Sequence, residues 1–157
     1  MGHKPTICLD IDGVLASYDG WQGIEHIGSP IQGAVPFTKE LAKFARIVIY
    51  TSRNKEYPAG TEGPHGAADP DHRSVLVLVE IVREWLDQHD FSYDEIYIGQ
   101  GKPLAAAIID DRAVTCRPQE SVHPEFEYQF ALAAAATLCD KLRRKDVSPV
   151  FLSGNLN

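Results

Sequence analysis

Cysteine is scarce in this chain. Cys8, Cys116 and Cys139 are odd in number and widely spaced, which excludes a disulfide framework and a zinc site. Three buried, reduced thiols are the expectation, and with them a cytoplasmic location. Long apolar runs are missing too. No stretch reaches membrane-spanning length and no signal-type apolar region stands out, so no membrane partner is expected. Positive charge is in deficit, with a net charge of −7. That opposes a broad grip on a nucleic-acid backbone and leaves room only for a local basic groove, so no stable nucleic-acid partner is expected. Internal repeats and low-complexity tracts are absent as well. The remainder is ordinary for a globular protein, 44% hydrophobic and 24% charged. Its 157 residues suit one domain with one core.

What is present centres on Thr6-Ile-Cys-Leu-Asp-Ile-Asp-Gly-Val-Leu15. An apolar run of strand character stops at two carboxylates, Asp10 and Asp12. Residues two apart share a face of an extended chain, so both acids lean toward one point at the strand end. Gly13 lets the chain turn away there.

Next comes the turn-rich segment 16–35, with Tyr18 and Trp21 expected to pack that loop onto the body rather than to meet a ligand. Phe37, Leu41 and Phe44 have helical spacing and predict a short helix from Pro36 to Ala45. Arg46 to Tyr50 reads as a buried strand ending at Thr51-Ser52-Arg53. Strand, helix and strand in this span make a parallel crossover unit. Its strand ends share one edge, where ligands bind in such sheets.

Residues 54–73 form a long irregular segment containing His65, Asp69, Asp71 and His72. A lid or recognition loop is one reading, and a solvated mobile loop is the preferred one, because those residues match no metal-ligand spacing. Ser74 to His89 predicts an amphipathic helix with Val75, Leu78, Val82 and Trp85 on one stripe, capped by Ser74 or Asp71. Tyr93 to Ile98 and Ala105 to Ile109 predict two further strands, the second ending at Asp110-Asp111-Arg112. Val114-Thr115-Cys116 reads as a short fifth strand. Pro124 to Lys145 reads as a helix, with Phe126, Phe130, Ala134, Leu138 and Leu142 on one side and a basic cluster in its last turns. Gly99-Gln100-Gly101 is no dinucleotide fingerprint, since the third glycine and the helix are missing. The expected fold is α/β: a three-layer, Rossmann-like arrangement with a central, mostly parallel sheet flanked by helices and no large cap domain.

The strand ends gather Asp10, Asp12, Thr51, Ser52, Asp110 and Asp111, with Lys102 shortly before the last strand. Four carboxylates in one crevice cannot all stay ionised and unpaired. A hard divalent cation resolves this, and Mg²⁺ is often held by one or two carboxylates together with a substrate phosphate. Phosphoryl transfer needs positioning, charge neutralisation and an in-line nucleophile. A carboxylate can be that nucleophile, and a second carboxyl two residues on can move the proton.

These residues resemble the four motifs of the haloacid-dehalogenase-like hydrolase superfamily of phosphatases. The motifs stand here as Asp10-Ile11-Asp12-Gly13-Val14-Leu15, Ile47-Val48-Ile49-Tyr50-Thr51-Ser52-Arg53, Gly101-Lys102-Pro103 and Ile108-Ile109-Asp110-Asp111-Arg112-Ala113. The match runs from about Thr6 to Thr115, and residues from about 124 to 145 add a C-terminal helix. The resemblance implies that Asp10 is the nucleophile and a Mg²⁺ ligand. It makes Asp12 the general acid/base, with its backbone carbonyl on the metal. Thr51, with Ser52 as fallback and Arg53 and Gly13 beside it, would bind the substrate phosphate. Lys102 would neutralise charge, and Asp110 and Asp111 would complete the metal site. The short segment 16–35 implies a capless member acting on a phosphorylated small molecule or nucleic-acid end. The expected function is therefore a Mg²⁺-dependent phosphomonoesterase working through an aspartyl phosphate. The alternatives are a non-enzymatic phosphoacceptor or regulatory module and a partner-dependent binding subunit.

Overall fold

The apolar runs read from the sequence become a four-stranded parallel sheet. In the computed structural model, which describes residues 4–54 and 75–146, β1 spans Thr6–Leu9 and β2 spans Arg46–Ile49. The edge strand β3 spans Glu95–Ile96, and β4 spans Ala107–Ile109. The order across the sheet is β3-β2-β1-β4, every pair parallel. Register sets Leu9 between Ile49 and Ile109. The protein is thus α/β, with no large cap among the described residues.

The chain divides into two compact units, Met1–Asp111 and Arg112–Asn157. The first holds the sheet with α1 (Ala34–Ala42) and α2 (Val75–Gln88). The second holds a single 3-10 turn, Pro118–Glu120, and the long helix α3 (Pro124–Asp146). The boundary between the units falls just after β4.

Alternation along the strands builds the core of the first unit. Leu9, Ile47, Ile49 and Ile96 meet Leu41 from α1 and Val79, Val82, Trp85 and Leu86 from α2. Leu9, Ile47, Ile49, Val82 and Leu86 are fully buried, and each such side chain contributes about 1.5–3 kcal/mol. The stripe expected on α2 is the stripe that packs, with Leu78, Val79, Val82, Trp85 and Leu86 buried. Trp85 also stacks on Phe91.

Several boundaries differ from expectation. α1 starts at Ala34, because Gly33 (φ 91°) reverses the chain before it. Pro36 is tolerated inside the first turn, where its missing N–H would have no helical partner anyway. β3 is two residues long, although Asp94 N–H donates to Ile47 carbonyl and Tyr97 N–H to Ile49 carbonyl at either end of it. Beyond Tyr97 no pairing holds the edge, and Ile98 is exposed. Residues 114–116 form no strand. Of the three thiols expected to be buried, only Cys8 is; Cys116 and Cys139 are exposed. Both lie in the second unit, where Phe126 and Phe130 on the predicted apolar side of α3 are exposed as well. Among the described residues of this unit, one helix and the turn before it offer no second layer in which to bury them. The cap residues Asp71 and Ser74, and His65, Asp69 and His72, lie outside the described residues.

Candidate active site

Both sides of the sheet's reversal point contribute acids. β1 is followed by a crossover to β2 on one side and is paired with β4 on the other. In open parallel sheets, the crevice beyond the carboxyl ends at this point is where ligands bind. Asp10 leaves the end of β1, its N–H donating to Ile109 carbonyl at 3.0 Å. Asp110 and Asp111 leave the end of β4. Single carboxylate oxygens of Asp10, Asp110 and Asp111 all lie within 4.8 Å of one another.

A tight loop fixes the backbone beyond Asp10. The Ile11 carbonyl accepts from the N–H groups of Val14, Leu15 and Ala16, at 2.8–3.2 Å. Ile11, Leu15 and Ala16 are fully buried. Gly13 takes φ 82° within this loop and lies flat against Asp111. A Cβ there would fall 2.5 Å from Asp111 Oδ2. The close approach, rather than the turn alone, requires glycine at this position.

The Asp10 carboxyl sits in a strong field. Burial, the largest cause, pushes it up to about 7, and the negative charges of Asp110 and Asp12 add to the effect. The Ile11 N–H, donating to Oδ1 at 2.8 Å, and the Thr51 hydroxyl favour the charged form and oppose it. Thr51 is 2% exposed and stands at the end of β2, with its Oγ1 also accepting from Arg53 N–H at 3.3 Å.

Asp12 has a different partner. Arg53 Nε donates to Asp12 Oδ2 at 2.7 Å and Nη2 to Oδ1 at 2.8 Å. The Arg53 side chain is 4% exposed and that of Asp12 13%. Such fork-to-fork pairing is directional and strong. The indole of Trp21, expected only to pack the loop down, lies over this guanidinium, 5.3 Å from ring centroid to Cζ.

The expected residues therefore separate into two groups. Asp10, Thr51, Asp110, Asp111 and Gly13 converge at the ends of β1, β2 and β4. Asp12 and Arg53 form their own pair beside them, so the Asp12 side chain stands apart from the three-acid cluster. Ser52 is exposed at the start of a 3-10 turn, Ser52–Asn54. Lys102 is exposed in the turn before β4, and no contact among the described residues joins it to the acids. Sequence reasoning missed the Arg53–Asp12 pair. The signal available was an arginine four residues past the end of β2, a strand adjacent to β1. It also missed Asn54, buried, whose Nδ2 donates to Tyr97 carbonyl at 2.7 Å and ties the end of β2 to the end of β3.

The donor set fits a hard cation. Three carboxylates offer oxygen ligands only, as Mg²⁺ prefers. Burial is the main reason that Asp10 holds its proton tightly for a carboxylic acid, and the neighbouring carboxylates of Asp110 and Asp12 add to it.

No protein-family model matches the chain, and no curated protein matches it. Two of the solved structures it resembles are bacterial. One, a conserved protein from Bacteroides thetaiotaomicron, is 23% identical, with a TM-score of 0.46 over 71% of this chain and 79% of that one. The other, a Vibrio cholerae protein known from a crystal structure, is 24% identical, with a TM-score of 0.40 over 88% of this chain and 98% of that one. Both likenesses are too distant to bear on function.

Proposed function

We propose that the protein is a metal-dependent phosphomonoesterase of the haloacid-dehalogenase-like type, with Asp10 as nucleophile. The observation that carries this reading is the meeting of Asp10 with Asp110, Asp111 and the buried Thr51 at the reversal point of a parallel sheet. Asp10, Asp110 and Asp111 would hold Mg²⁺, which when bound supplies positive charge to offset the acids and the phosphate.

Asp10 is the acid best held for attack. Its Oδ1 is fixed by the Ile11 N–H, leaving Oδ2 to meet phosphorus. The new P–O bond forms as the bond to the leaving alcohol breaks, giving an aspartyl phosphate. The Thr51 hydroxyl favours the charged form of the Asp10 carboxylate and would orient a phosphoryl oxygen there. In the second half, water attacks phosphorus, the bond to Asp10 breaks and inorganic phosphate leaves. Asp12 gives the proton to the leaving oxygen and takes one from the water. Each Asp12 oxygen that accepts from Arg53 keeps another acceptor position open toward that water.

The test is hydrolysis of a phosphomonoester panel with and without Mg²⁺, using Asp10→Asn as control. Metal-dependent release of phosphate, lost in the variant, is the expected result. Turnover at near wild-type rates by folded Asp10→Asn would refute the mechanism.

One observation favours a second reading, the non-enzymatic phosphoacceptor. Arg53 occupies both oxygens of Asp12, which slows any proton transfer that needs them released. A phosphoryl group that stays on Asp10 for minutes, rather than turning over in seconds, supports that reading instead.

A further inference from the structure

The guanidinium that grips Asp12 has one nitrogen left. Arg53 Nη1 is buried and, among the described residues, has no hydrogen-bond partner. Buried donors are nearly always satisfied, and a charged one left open is costly. Arg53 also lines a cavity of about 40 Å³, with Ser17, Tyr18, Gln22 and His26 among its neighbours. That volume accommodates on the order of two waters, or a small polar group of comparable size.

The position of this cavity follows from the chemistry of the site. Asp12 acts at the leaving oxygen, so whatever grips Asp12 stands beside the leaving alcohol. The loop that closes the cavity is itself held in place. Ser17 N–H donates to Ser29 carbonyl at 2.9 Å, and Trp85 Nε1 donates to Gly28 carbonyl at 3.1 Å from α2. Gly28 lies against Ser17, where a Cβ would come within 2.0 Å of the Ser17 carbonyl. The walls are therefore preformed, and Trp21, 37% exposed, stacks with the guanidinium at their edge.

We propose that Arg53 Nη1 and the 17–28 loop form the leaving-group pocket, which selects phosphomonoesters whose alcohol carries a neutral hydroxyl or carbonyl oxygen close to the ester. Neutrality follows from charge. The single positive charge of Arg53 is already matched by Asp12, and Asp19 also lines the cavity, so a second anion is disfavoured while a neutral acceptor satisfies the open donor. The inference rests on the phosphomonoesterase reading, and its test separates the two.

The experiment compares kcat/KM for glycerol 1-phosphate, n-propyl phosphate and 3-phosphoglycerate in the wild type, Arg53→Lys and Trp21→Leu. Lysine keeps the charge but offers one nitrogen in place of three, so it loses the open donor and the two-point grip on Asp12; leucine at 21 leaves the pair with Asp12 intact should Arg53→Lys fail to fold. The wild type is expected to prefer glycerol 1-phosphate over propyl phosphate by about tenfold, the scale of one hydrogen bond to a charged donor. The variants should narrow that ratio to within about threefold. Equal rates on the two esters in the wild type overturn the pocket, and a preference for 3-phosphoglycerate over glycerol 1-phosphate overturns its neutral character. Titration of the Trp21 indole N–H signal with glycerol and with propan-1-ol needs no turnover. A saturable shift with glycerol alone supports the pocket even if no ester is hydrolysed, and no shift with either alcohol overturns it.

Discussion

Asp10 and Asp12 are two residues apart on one strand exit, yet they experience opposite fields. Asp10 faces two other carboxylates and burial, and its carboxyl is pushed up to about 7. Asp12 faces a buried guanidinium that takes both its oxygens. The first gathers carboxylates, and on the proposed reading a metal and a phosphate would act there; the second brings its own positive charge. The second holds a side chain in one orientation.

The largest test of this contrast removes the guanidinium. Arg53→Met leaves the Asp12 carboxylate largely buried and unpaired, and should cost about 3–5 kcal/mol in denaturant unfolding. Adding Asp12→Asn to that variant should restore much of the loss. A cost below about 1 kcal/mol would mean that the pair is no more than a surface contact.

Asp10 should show the reverse sign. Its folded carboxyl binds a proton up to about pH 7, whereas the reference value is 3.8. Between those limits the native state holds more protons than the unfolded one, so metal-free stability falls as pH rises from about 4 to about 7. The slope is at most about 1.4 kcal/mol per pH unit, and the whole effect is on the order of 4 kcal/mol. Asp10→Asn should flatten the profile and be the more stable protein at pH 8 without metal. Mg²⁺ should bind more tightly as pH rises through 7, since proton and cation compete for Asp10. Thermal unfolding across pH, with and without Mg²⁺, measures both effects.

Gly13→Ala probes how the two groups are kept apart. A methyl at φ 82° and 2.5 Å from Asp111 Oδ2 must displace Asp111. It should cost about 2 kcal/mol and weaken Mg²⁺ binding, measured by calorimetry, while leaving the Arg53–Asp12 pair unaffected. The smallest effect is expected at an exposed pair. Glu40 accepts from Lys43 on the surface of α1, both side chains about two-thirds exposed. Glu40→Ala should change stability by less than about 0.5 kcal/mol. A larger change there would show that pairing, rather than burial, sets the strength of the Arg53–Asp12 contact.

The order of elements was legible because each apolar run has a clear period. Ile7, Leu9, Ile47 and Ile49 alternate, and Leu78, Val82 and Trp85 repeat at helical spacing. The convergence of Asp10, Thr51, Asp110 and Asp111 was legible for a related reason: parallel strands deliver their ends to one edge. Pairings across that edge were not. Arg53 comes two residues after Thr51, and nothing in the string of letters says whether it turns to a phosphate or to Asp12. The 3-10 turn Ser52–Asn54 decides this locally, since it buries Arg53 and Asn54 while leaving Ser52 outside. The short β3 was overestimated because Ile96 and Ile98 alternate as a strand does, while pairing to β2 runs out after Tyr97. Burial of Cys116 and Cys139 was expected from residue type alone, and the described residues of the second unit form no core to receive them.

The excursion from Ser17 to Ser29 leaves and rejoins the body at a single place, where Ala16 bridges Pro30 and Ile31 N–H returns to Leu15 carbonyl. Its two stems are stitched together before the loop begins. Chain can therefore be added to the tip of this loop at a small entropic cost, about 0.6 kcal/mol for each doubling of its length. The sheet and the acid cluster would not need to move to accommodate it. For protein engineering this makes the loop a docking port. A binding peptide or a small folded module grafted between Gly20 and Gly23 would sit beside Arg53, and the scaffold could acquire a cover there without a change to its core.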